Sequence, residues 1–235
     1  MKPSQQIVKR LFDITGAAAG LLFLFPFACI VIALLKISSG GGPVFFLQQR
    51  VGRFGQLFTC IKFRTMIAGA EQMGTVTTSS DVRITSVGRF LRKFKLDEFP
   101  QLWNVLIGRM SFVGPRPDVV GYADKLVGED RKILDLRPGI TGPATLFFRY
   151  EEELLAGVAH PQEYNDTVIW PTKIRINMQY SENWSFWTDI AYIMVTVFPF
   201  LNSALRVYPQ SPSSPEQLEV YLHPLHGDVQ TAQGK

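Results

Sequence analysis

The sequence predicts an α+β fold that is mainly helical: a membrane helix at the N-terminus, a small cytosolic α/β core and amphipathic helices at the membrane interface. Three observations predict this fold. Residues 14–35 contain no ionised side chain, two short segments after them have strand character, and later segments have apolar residues at helical spacing. A chain of 235 residues can bury a sizeable core.

Composition narrows the class of function. The net charge of +4 and the pI near 9.1 suit an anionic membrane surface or phosphorylated substrates. Cys29 and Cys60 have no CxxC or Cys/His spacing, so we expect reduced thiols and neither a zinc site nor a disulfide framework. Walker, GxGxxG and Ser/His/Asp motifs are absent from the sequence, which argues against kinases, dehydrogenases and serine hydrolases.

The N-terminal apolar run is long enough for a bilayer, which about 20 apolar residues can cross. Lys9 and Arg10 precede it and Lys36 follows it, and positive charge on both flanks favours two cytoplasmic ends. Pro26 lies near the middle, where proline removes a hydrogen bond and bends a helix. A re-entrant helix satisfies both observations, but proline is also tolerated in ordinary spans. The residues alone leave both alternatives open.

The next segments predict a β-hairpin. Residues 38–43 form a glycine-rich hinge, and Val44–Leu47 and Leu57–Thr65 have strand character on either side of a turn at Gly52–Gly55. In the second strand, alternation places Lys62 and Arg64 on one face. The small, polar residues that follow, 68–81, predict a mobile loop or a short helix.

Residues 87–106 have helical spacing, with Arg89, Arg92, Lys93 and Lys95 around an apolar stripe. Such a basic amphipathic helix is typical of a membrane surface. Pro100 disfavours helical geometry at the residue before it, so we expect a break near residues 97–99.

The rest of the chain is predicted to be helical apart from its tail. Residues 113–117 and 137–143 are predicted to be rigid turns, and residues 150–157 and 163–180 helices. Residues 184–201 form either a core helix or an interfacial helix. The predicted organisation is a membrane helix (1–38), a cytosolic catalytic domain (39–207) and a disordered tail (208–235).

The adjacent acids Asp97 and Glu98 are the strongest candidate catalytic residues. They lie in a basic stretch just before Pro100. Carboxylates surrounded by cations stay ionised at neutral pH and can hold a divalent metal or act as a nucleophile. The alternative is the solvated face of a charged helix.

Basic residues near this pair are candidates for phosphate binding. Arg116 lies between Pro115 and Pro117, whose fixed φ angles would hold its guanidinium as a fork for phosphate oxygens. Lys62 and Arg64 could bind a second phosphate. The alternatives are a structural turn for Arg116 and ordinary edge-strand charges for the other two.

Four segments together resemble the bacterial sugar transferase family, the monotopic phosphoglycosyl transferases that act on polyprenol phosphates. They are residues 62–66, 96–105, 110–117 and 137–142, and the resemblance extends over roughly residues 7–205. It implies transfer of a sugar-1-phosphate from a UDP-sugar to undecaprenyl phosphate, with release of UMP, at the start of glycoconjugate assembly. It also implies a re-entrant helix broken at Pro26.

The resemblance further implies site roles. Asp97 would form a covalent phosphosugar–aspartate, and Glu98 would hold the metal with it or assist deprotonation of the lipid phosphate. The expected ion is Mg²⁺, with Mn²⁺ as the alternative. The residues implied in substrate binding are Lys62, Arg64, Arg92, Pro115, Arg116, Pro117 and, in a family-like segment, Asp189.

The expected partners are the UDP-sugar, polyprenyl phosphate, membrane lipids and a second copy in a homodimer, and no nucleic acid. The expected location is the bacterial inner membrane, with the catalytic domain on the cytoplasmic face. Residues 143–153 depart from the Trp-Ala-Gln-Val-Asn-Gly run common in relatives, so sugar specificity is not carried over. A non-enzymatic component of a polysaccharide assembly complex and a membrane-bound phosphohydrolase are the competing functions.

Overall fold

The computed structural model describes residues 2–38, 42–67, 69–70, 82–208 and 211–230, with side chains described as far as residue 222. The predicted loop at 68–81 and the middle of the predicted hinge lie mostly outside these residues. The chain divides into two compact units, residues 1–140 and 141–235. The predicted α+β, mainly helical class is confirmed.

In its described residues, the first unit contains three α-helices, a β-hairpin and a short third strand. In chain order these are α1 (Pro3–Ser38), β1 (Phe45–Val51), β2 (Leu57–Phe63), α2 (Ser86–Lys93), α3 (Gln101–Leu106) and β3 (Ser111–Val113). Single 3₁₀ turns lie at Arg53–Gly55, Leu96–Glu98 and Ala123–Lys125, and a longer 3₁₀ segment of eight residues lies at Gly128–Asp135. Strand β4 (Gly139–Thr141) pairs with β3 and leads into the second unit.

Helix α1 remains helical through Pro26 and is, among the described residues, the one helix long and apolar enough to cross a membrane. Its most apolar window has a mean hydropathy of 2.7, and 17% of that window is buried. The large side chains Leu22, Phe23 and Phe25 are exposed in the middle of the helix. A surface of this composition is suited to lipid rather than to water.

Both ends of α1 pack on the rest of the first unit. Towards its C-terminus, Val31 and Leu35 lie in a core cluster with Phe63 and Leu91. Towards its N-terminus, the buried Asp13 accepts hydrogen bonds from Ser111 Oγ and the Phe112 backbone N–H, each 3.0 Å long. These contacts also explain how an acidic residue is tolerated beside an apolar run, since a buried carboxylate needs donors.

The predicted hairpin is confirmed, and β1 is longer than expected. The antiparallel register pairs Phe46 with Lys62, Gln48 with Cys60 and Arg50 with Phe58. Because side chains alternate along strands, these six residues share one face of the ribbon. That face carries both basic residues, Arg50 and Lys62, of the paired positions.

The predicted break in the basic helix is also confirmed. Helix α2 ends at Lys93, Lys95 adopts a left-handed backbone with φ of 56°, and α3 starts at Gln101 directly after Pro100. The left-handed residue turns the chain sharply, because an α-helix cannot continue through it. Residues 96–98 therefore form a separate turn between two helices.

The second unit is helical apart from the end of β4. Its helices are α4 (Pro143–Phe147), α5 (Glu151–Ala156), α6 (Pro161–Tyr164), α7 (Trp170–Glu182), α8 (Phe186–Val197), α9 (Asn202–Leu205) and α10 (Pro215–Gln230). A π turn at Asn165–Ile169 joins α6 to α7. The predicted helices at 150–157 and 163–180 are present, whereas Val113 and residues 139–141, for which rigid turns were expected, lie in the paired strands β3 and β4.

The two alternatives for residues 184–201 describe two sides of one helix. Trp184, Tyr192 and Val195 are buried, whereas Trp187 and Val197 are exposed. Helix α8 therefore contributes to the core of its unit and also presents an apolar face outward.

The tail differs from the prediction of disorder. Residues 215–230 form α10, and Leu218 and Leu222 are buried in a cluster with Phe147, Leu154 and Ile169. The prediction rested on the polar composition of the tail as a whole. Leu218 and Leu222 are four residues apart, a spacing that gives a helix one apolar side. The division into a membrane helix ending at residue 38 and a catalytic domain ending at residue 207 stays a prediction.

Candidate active site

Asp97 and Glu98 lie in the 3₁₀ turn between α2 and α3, against the hairpin. Two features fix the turn. The Phe99 backbone N–H donates to the Leu96 carbonyl at 3.2 Å. The Asn104 side chain, on α3, makes two hydrogen bonds with β2: its amide nitrogen donates to the Thr59 carbonyl at 2.8 Å, and its amide oxygen accepts from the Ile61 N–H at 3.1 Å. The turn is thereby tied to the strand that carries Lys62.

Glu98 is held by two cations. Its Oε1 accepts a bond from Lys62 Nζ at 2.9 Å and another from Arg116 Nη2 at 2.7 Å, and its side chain is 9% exposed. Burial alone would raise the pKa of Glu98, but the charges and hydrogen bonds of Arg116 and Lys62 outweigh it and lower the pKa to about 2. Glu98 is thus an ionised carboxylate at neutral pH, as the sequence predicted.

Asp97 has the opposite environment. Its Oδ1 is buried and has no hydrogen-bond partner among the described residues. Burial, and then the charge of Glu98, raise the pKa of Asp97, with Lys62, Lys95 and Arg92 opposing them. This carboxylate is therefore less stabilised as an anion than the sequence suggested. A carboxylate oxygen that is poorly solvated and unpaired is suited to attack an electrophile or to bind a cation.

The hairpin contributes basic side chains to the region of the acid pair. Lys62 contacts Glu98, and Arg50 lies on the same face of the ribbon. Arg64 follows the end of β2, and its Nε is buried without a hydrogen-bond partner in the described part of the chain. Such a donor is available to an anion. Arg92 reaches the same region, where its Nε donates to Thr65 Oγ1 at 2.8 Å.

The turn that carries Arg116 is packed tightly on its neighbours. Gly139 donates its N–H to the Pro115 carbonyl at 2.7 Å. A Cβ on Gly114 would lie 2.3 Å from the Arg137 carbonyl oxygen, so only glycine permits this approach. Pro115 and Pro117 flank the arginine in this turn, and Arg116 points its guanidinium at Glu98.

The structure thus brings together most of the predicted site residues. Asp97, Glu98, Lys62 and Arg116 meet through contacts or charge, and Arg92 acts electrostatically on Asp97. Asp189 lies in the second unit, where it is buried and accepts hydrogen bonds from Tyr180 Oη at 2.6 Å and Trp184 Nε1 at 3.0 Å. These bonds give Asp189 a structural task, and its role in substrate binding stays a prediction.

Arg50 and Asn104 were missed as contributors to the site. The charge of Arg50 acts on both Arg116 and Glu98. Its alternation with Gln48 along β1 was visible in the sequence, but the pairing of β1 with β2 was needed to place it on the same face of the hairpin as Lys62. Asn104 gave no signal, because a buried amide cannot be recognised from a helical pattern.

The acid pair fits a magnesium ion held partly by substrate. No cluster of three or more potential metal-ligating side chains occurs among the described residues. Mg²⁺ is commonly bound by one or two carboxylates together with substrate phosphates and water. The unpaired Asp97 Oδ1 is an oxygen donor of the right kind, and Glu98 lies next to it.

Comparison with known proteins identifies one family. The model for bacterial sugar transferases matches residues 4–203. The uncharacterized sugar transferase EpsL of Bacillus subtilis is 36% identical over 191 residues, which cover 81% of this chain and 86% of that protein.

Two further relatives have names that state their substrates. The undecaprenyl-phosphate galactose phosphotransferase of Salmonella typhimurium is 36% identical over 211 residues, 83% of this chain and 40% of that protein. The UDP-glucose:undecaprenyl-phosphate glucose-1-phosphate transferase of Escherichia coli is 35% identical over 209 residues, 85% of this chain and 41% of that protein. The chain spans 40% to 42% of the length of several such relatives.

Proposed function

Because the chain belongs to the bacterial sugar transferase family, we propose that it transfers a sugar-1-phosphate from a UDP-sugar to undecaprenyl phosphate and releases UMP. The family resemblance in the sequence is confirmed. The acceptor is stated in the names of both the E. coli and the Salmonella relatives, and a UDP-sugar donor, UDP-glucose, in the name of the E. coli relative. The product would be the first lipid-linked sugar of a polysaccharide or another glycoconjugate.

One observation carries the proposal for this chain. Asp97 Oδ1 is buried and has no hydrogen-bond partner among the described residues, and the adjacent Glu98 carboxylate forms salt bridges with Lys62 and Arg116. Cations at these positions can bind the two phosphates of a nucleotide sugar. Held there, the diphosphate would place a phosphorus within reach of the aspartate, which is the proximity that such a transfer needs.

The proposed reaction has two steps. An Asp97 oxygen attacks the β-phosphorus of the UDP-sugar, a new O–P bond forms, and the bond from that phosphorus to the bridging oxygen breaks, so that UMP leaves with the electron pair. An oxygen of undecaprenyl phosphate then attacks the same phosphorus and frees Asp97. Arg116 and Lys62 bind phosphate oxygens throughout. Mg²⁺, or Mn²⁺, held by Asp97 and Glu98 would neutralise charge on the diphosphate.

The membrane helix gives the acceptor access to this site. Undecaprenyl phosphate presents its phosphate at the headgroup level, so an enzyme that uses it must work at the interface. The proposed location is the cytoplasmic face of the bacterial inner membrane, with α1 entering the bilayer as a re-entrant helix. The contacts at both ends of α1 with the same unit support this placement.

The test measures UMP release from a panel of UDP-sugars with Mg²⁺ and undecaprenyl phosphate. We expect Asp97→Asn to abolish release, and Asp130→Asn, which changes an exposed acid, to leave it unchanged. Without lipid acceptor, the wild type should release at most one UMP per protein and keep the labelled β-phosphate. Full turnover by Asp97→Asn would contradict the proposed nucleophile.

Loss of folding can be separated from loss of chemistry in this variant. An acid whose folded pKa is raised destabilises the fold at pH values where it is ionised. Asp97→Asn removes that charge, so the variant should unfold at the same or a higher temperature than the wild type at pH 7. A clear drop in the melting temperature would mean that Asp97 supports the fold and that its activity data need another explanation.

A further inference from the structure

Arg50 bridges the hairpin and the turn that carries Arg116. Its Nη1 donates to the Pro117 carbonyl at 3.0 Å, while Nε and Nη2 both donate to Gln48 Oε1, at 3.1 and 2.7 Å. The next residue, Val51, donates its N–H to the Asp118 carbonyl at 2.9 Å. The end of β1 therefore binds two consecutive carbonyls just after Arg116.

The choice of arginine at this position has an electrostatic cost. The hydrogen bonds of Arg50 go to neutral acceptors, yet it lies close enough to Arg116 for their like charges to oppose each other. The carboxylates of Asp118 and Glu98 act on Arg50 in the opposite sense to Arg116, so the guanidinium lies among charges of both signs.

We propose that Arg50 is a positioning residue, which fixes the Pro115–Arg116–Pro117 turn so that Arg116 is held ready for substrate phosphate. The inference rests on the proposed function only for the identity of that phosphate. Gln48 orients one end of the Arg50 guanidinium, and the other end binds the turn. A fixed arginine loses less conformational freedom on binding an anion, so this arrangement strengthens binding without contact between Arg50 and the substrate.

The first measurement concerns the turn itself and does not depend on any activity. The Gly139 N–H is bonded to the Pro115 carbonyl, so its hydrogen exchange reports on the docking of the turn. We expect Arg50→Gln to accelerate exchange at Gly139 by about tenfold, since the turn would open more often. Arg131→Gln is the matched control: Arg131 also donates to a backbone carbonyl, that of Leu126, in the same unit but outside the turn.

The second measurement is the affinity for UDP, by calorimetry on the full chain in detergent or nanodiscs. Arg50→Gln is expected to weaken UDP binding about tenfold, and to have little further effect when Arg116 is already Gln. Arg50→Lys keeps the charge but cannot bond Gln48 and Pro117 in the same way, so it should resemble Arg50→Gln more than the wild type.

These results separate the inference from the proposed function. Unchanged exchange at Gly139 in Arg50→Gln, or full UDP affinity in Arg50→Lys, would overturn the positioning role. Additive losses from the Arg50 and Arg116 changes would also overturn it, because they would show that Arg50 acts independently. A wild type that binds no UDP would instead contradict the proposed function, and the exchange measurement would still decide the role of Arg50.

Discussion

At the scale of single residues, the two adjacent acids differ because they have different neighbours. Glu98 receives two cationic donors on one oxygen, while Asp97 is partly buried and its own Oδ1 has no hydrogen-bond partner among the described residues. The first environment stabilises an anion, and the second leaves one less stabilised. The pair therefore combines a firmly ionised carboxylate, which holds Lys62 and Arg116, with a more basic one, which suits the proposed nucleophile.

The ion pairs of Glu98 should make stability depend on pH. The folded pKa of about 2 lies below the ordinary value of 4.5. A depressed pKa contributes stability above the unfolded value, and this contribution is lost as pH falls through the folded value. We expect Glu98→Gln to cost up to about 3 kcal/mol at pH 7. The cost should shrink progressively below pH 4.5, as measured by denaturant unfolding at several pH values.

Glu129→Gln is the control for this prediction. Glu129 pairs with Lys132 at the surface, and exposed pairs of this kind contribute about 0–1 kcal/mol. Its effect should be small at every pH. A cost of Glu98→Gln that stays constant from pH 7 to pH 3 would mean that packing, rather than charge, accounts for it.

At the scale of elements, α10 shows how a polar segment can belong to a core. Leu218 is fully buried on the side of α10 that faces Phe147 and Leu154, whereas Val220, two residues on, is 75% exposed. Among its described side chains, Glu216, Gln217 and Glu219 are exposed, and this polar composition resembles that of a disordered tail. The stability of α10 therefore comes from packing on the second unit rather than from its own helix propensity.

Leu218 and Val220, one buried and one exposed, provide a matched test on α10. Leu218→Ala removes a fully buried side chain and should lower the free energy of unfolding by about 2–4 kcal/mol. Val220→Ala should change it by less than about 0.5 kcal/mol, because the side chain is at the surface. Denaturant unfolding followed by tryptophan fluorescence measures both. Equal, small effects would indicate that α10 does not pack on this unit in solution.

At the scale of the whole molecule, α1 is bound to the first unit near both of its ends. Arg10 donates to the carbonyls of Val105 and Leu106, each at 2.7 Å, and Leu35 packs with Phe63 and Leu91. At 1.5 Å per residue, Arg10 and Leu35 would be about 37 Å apart along a straight helix. If α1 crossed the bilayer perpendicularly, these two contacts would lie on opposite sides of the membrane. The rest of the first unit, which makes both contacts, would then have to extend through the hydrocarbon core, where irregular polar backbone is not tolerated.

Cysteine labelling tests the resulting topology. Lys2→Cys and Lys36→Cys, each in a variant with Cys29 and Cys60 replaced, should both be protected from an impermeant thiol reagent in intact cells and labelled after lysis. This is expected because both flanks of α1 would be cytoplasmic. Labelling of either position in intact cells would contradict the re-entrant arrangement and favour an ordinary span.

Much of this protein was determined by local sequence. The apolar run at 14–35, the hairpin and the break before Pro100 were predictable, because hydrophobic periodicity and proline act within a few residues. The acid pair and Arg116 also stood out, since proline and clustered charge mark them in the chain itself. The family resemblance rested on the same segments.

Tertiary structure decided the rest. Only the register of β1 and β2 places Arg50 on the same face of the hairpin as Lys62, and only the fold brings Arg116 to Glu98, 18 residues away. Burial raises the pKa of both acids, and the contrast between them arises because Arg116 and Lys62 donate hydrogen bonds to Glu98. Only the fold brings partners so distant in sequence to one carboxylate. Helix α10 likewise depends on tertiary packing, because Leu218 is buried in the core cluster of the second unit. Contacts distant in sequence, and the desolvation that accompanies them, are set by packing alone.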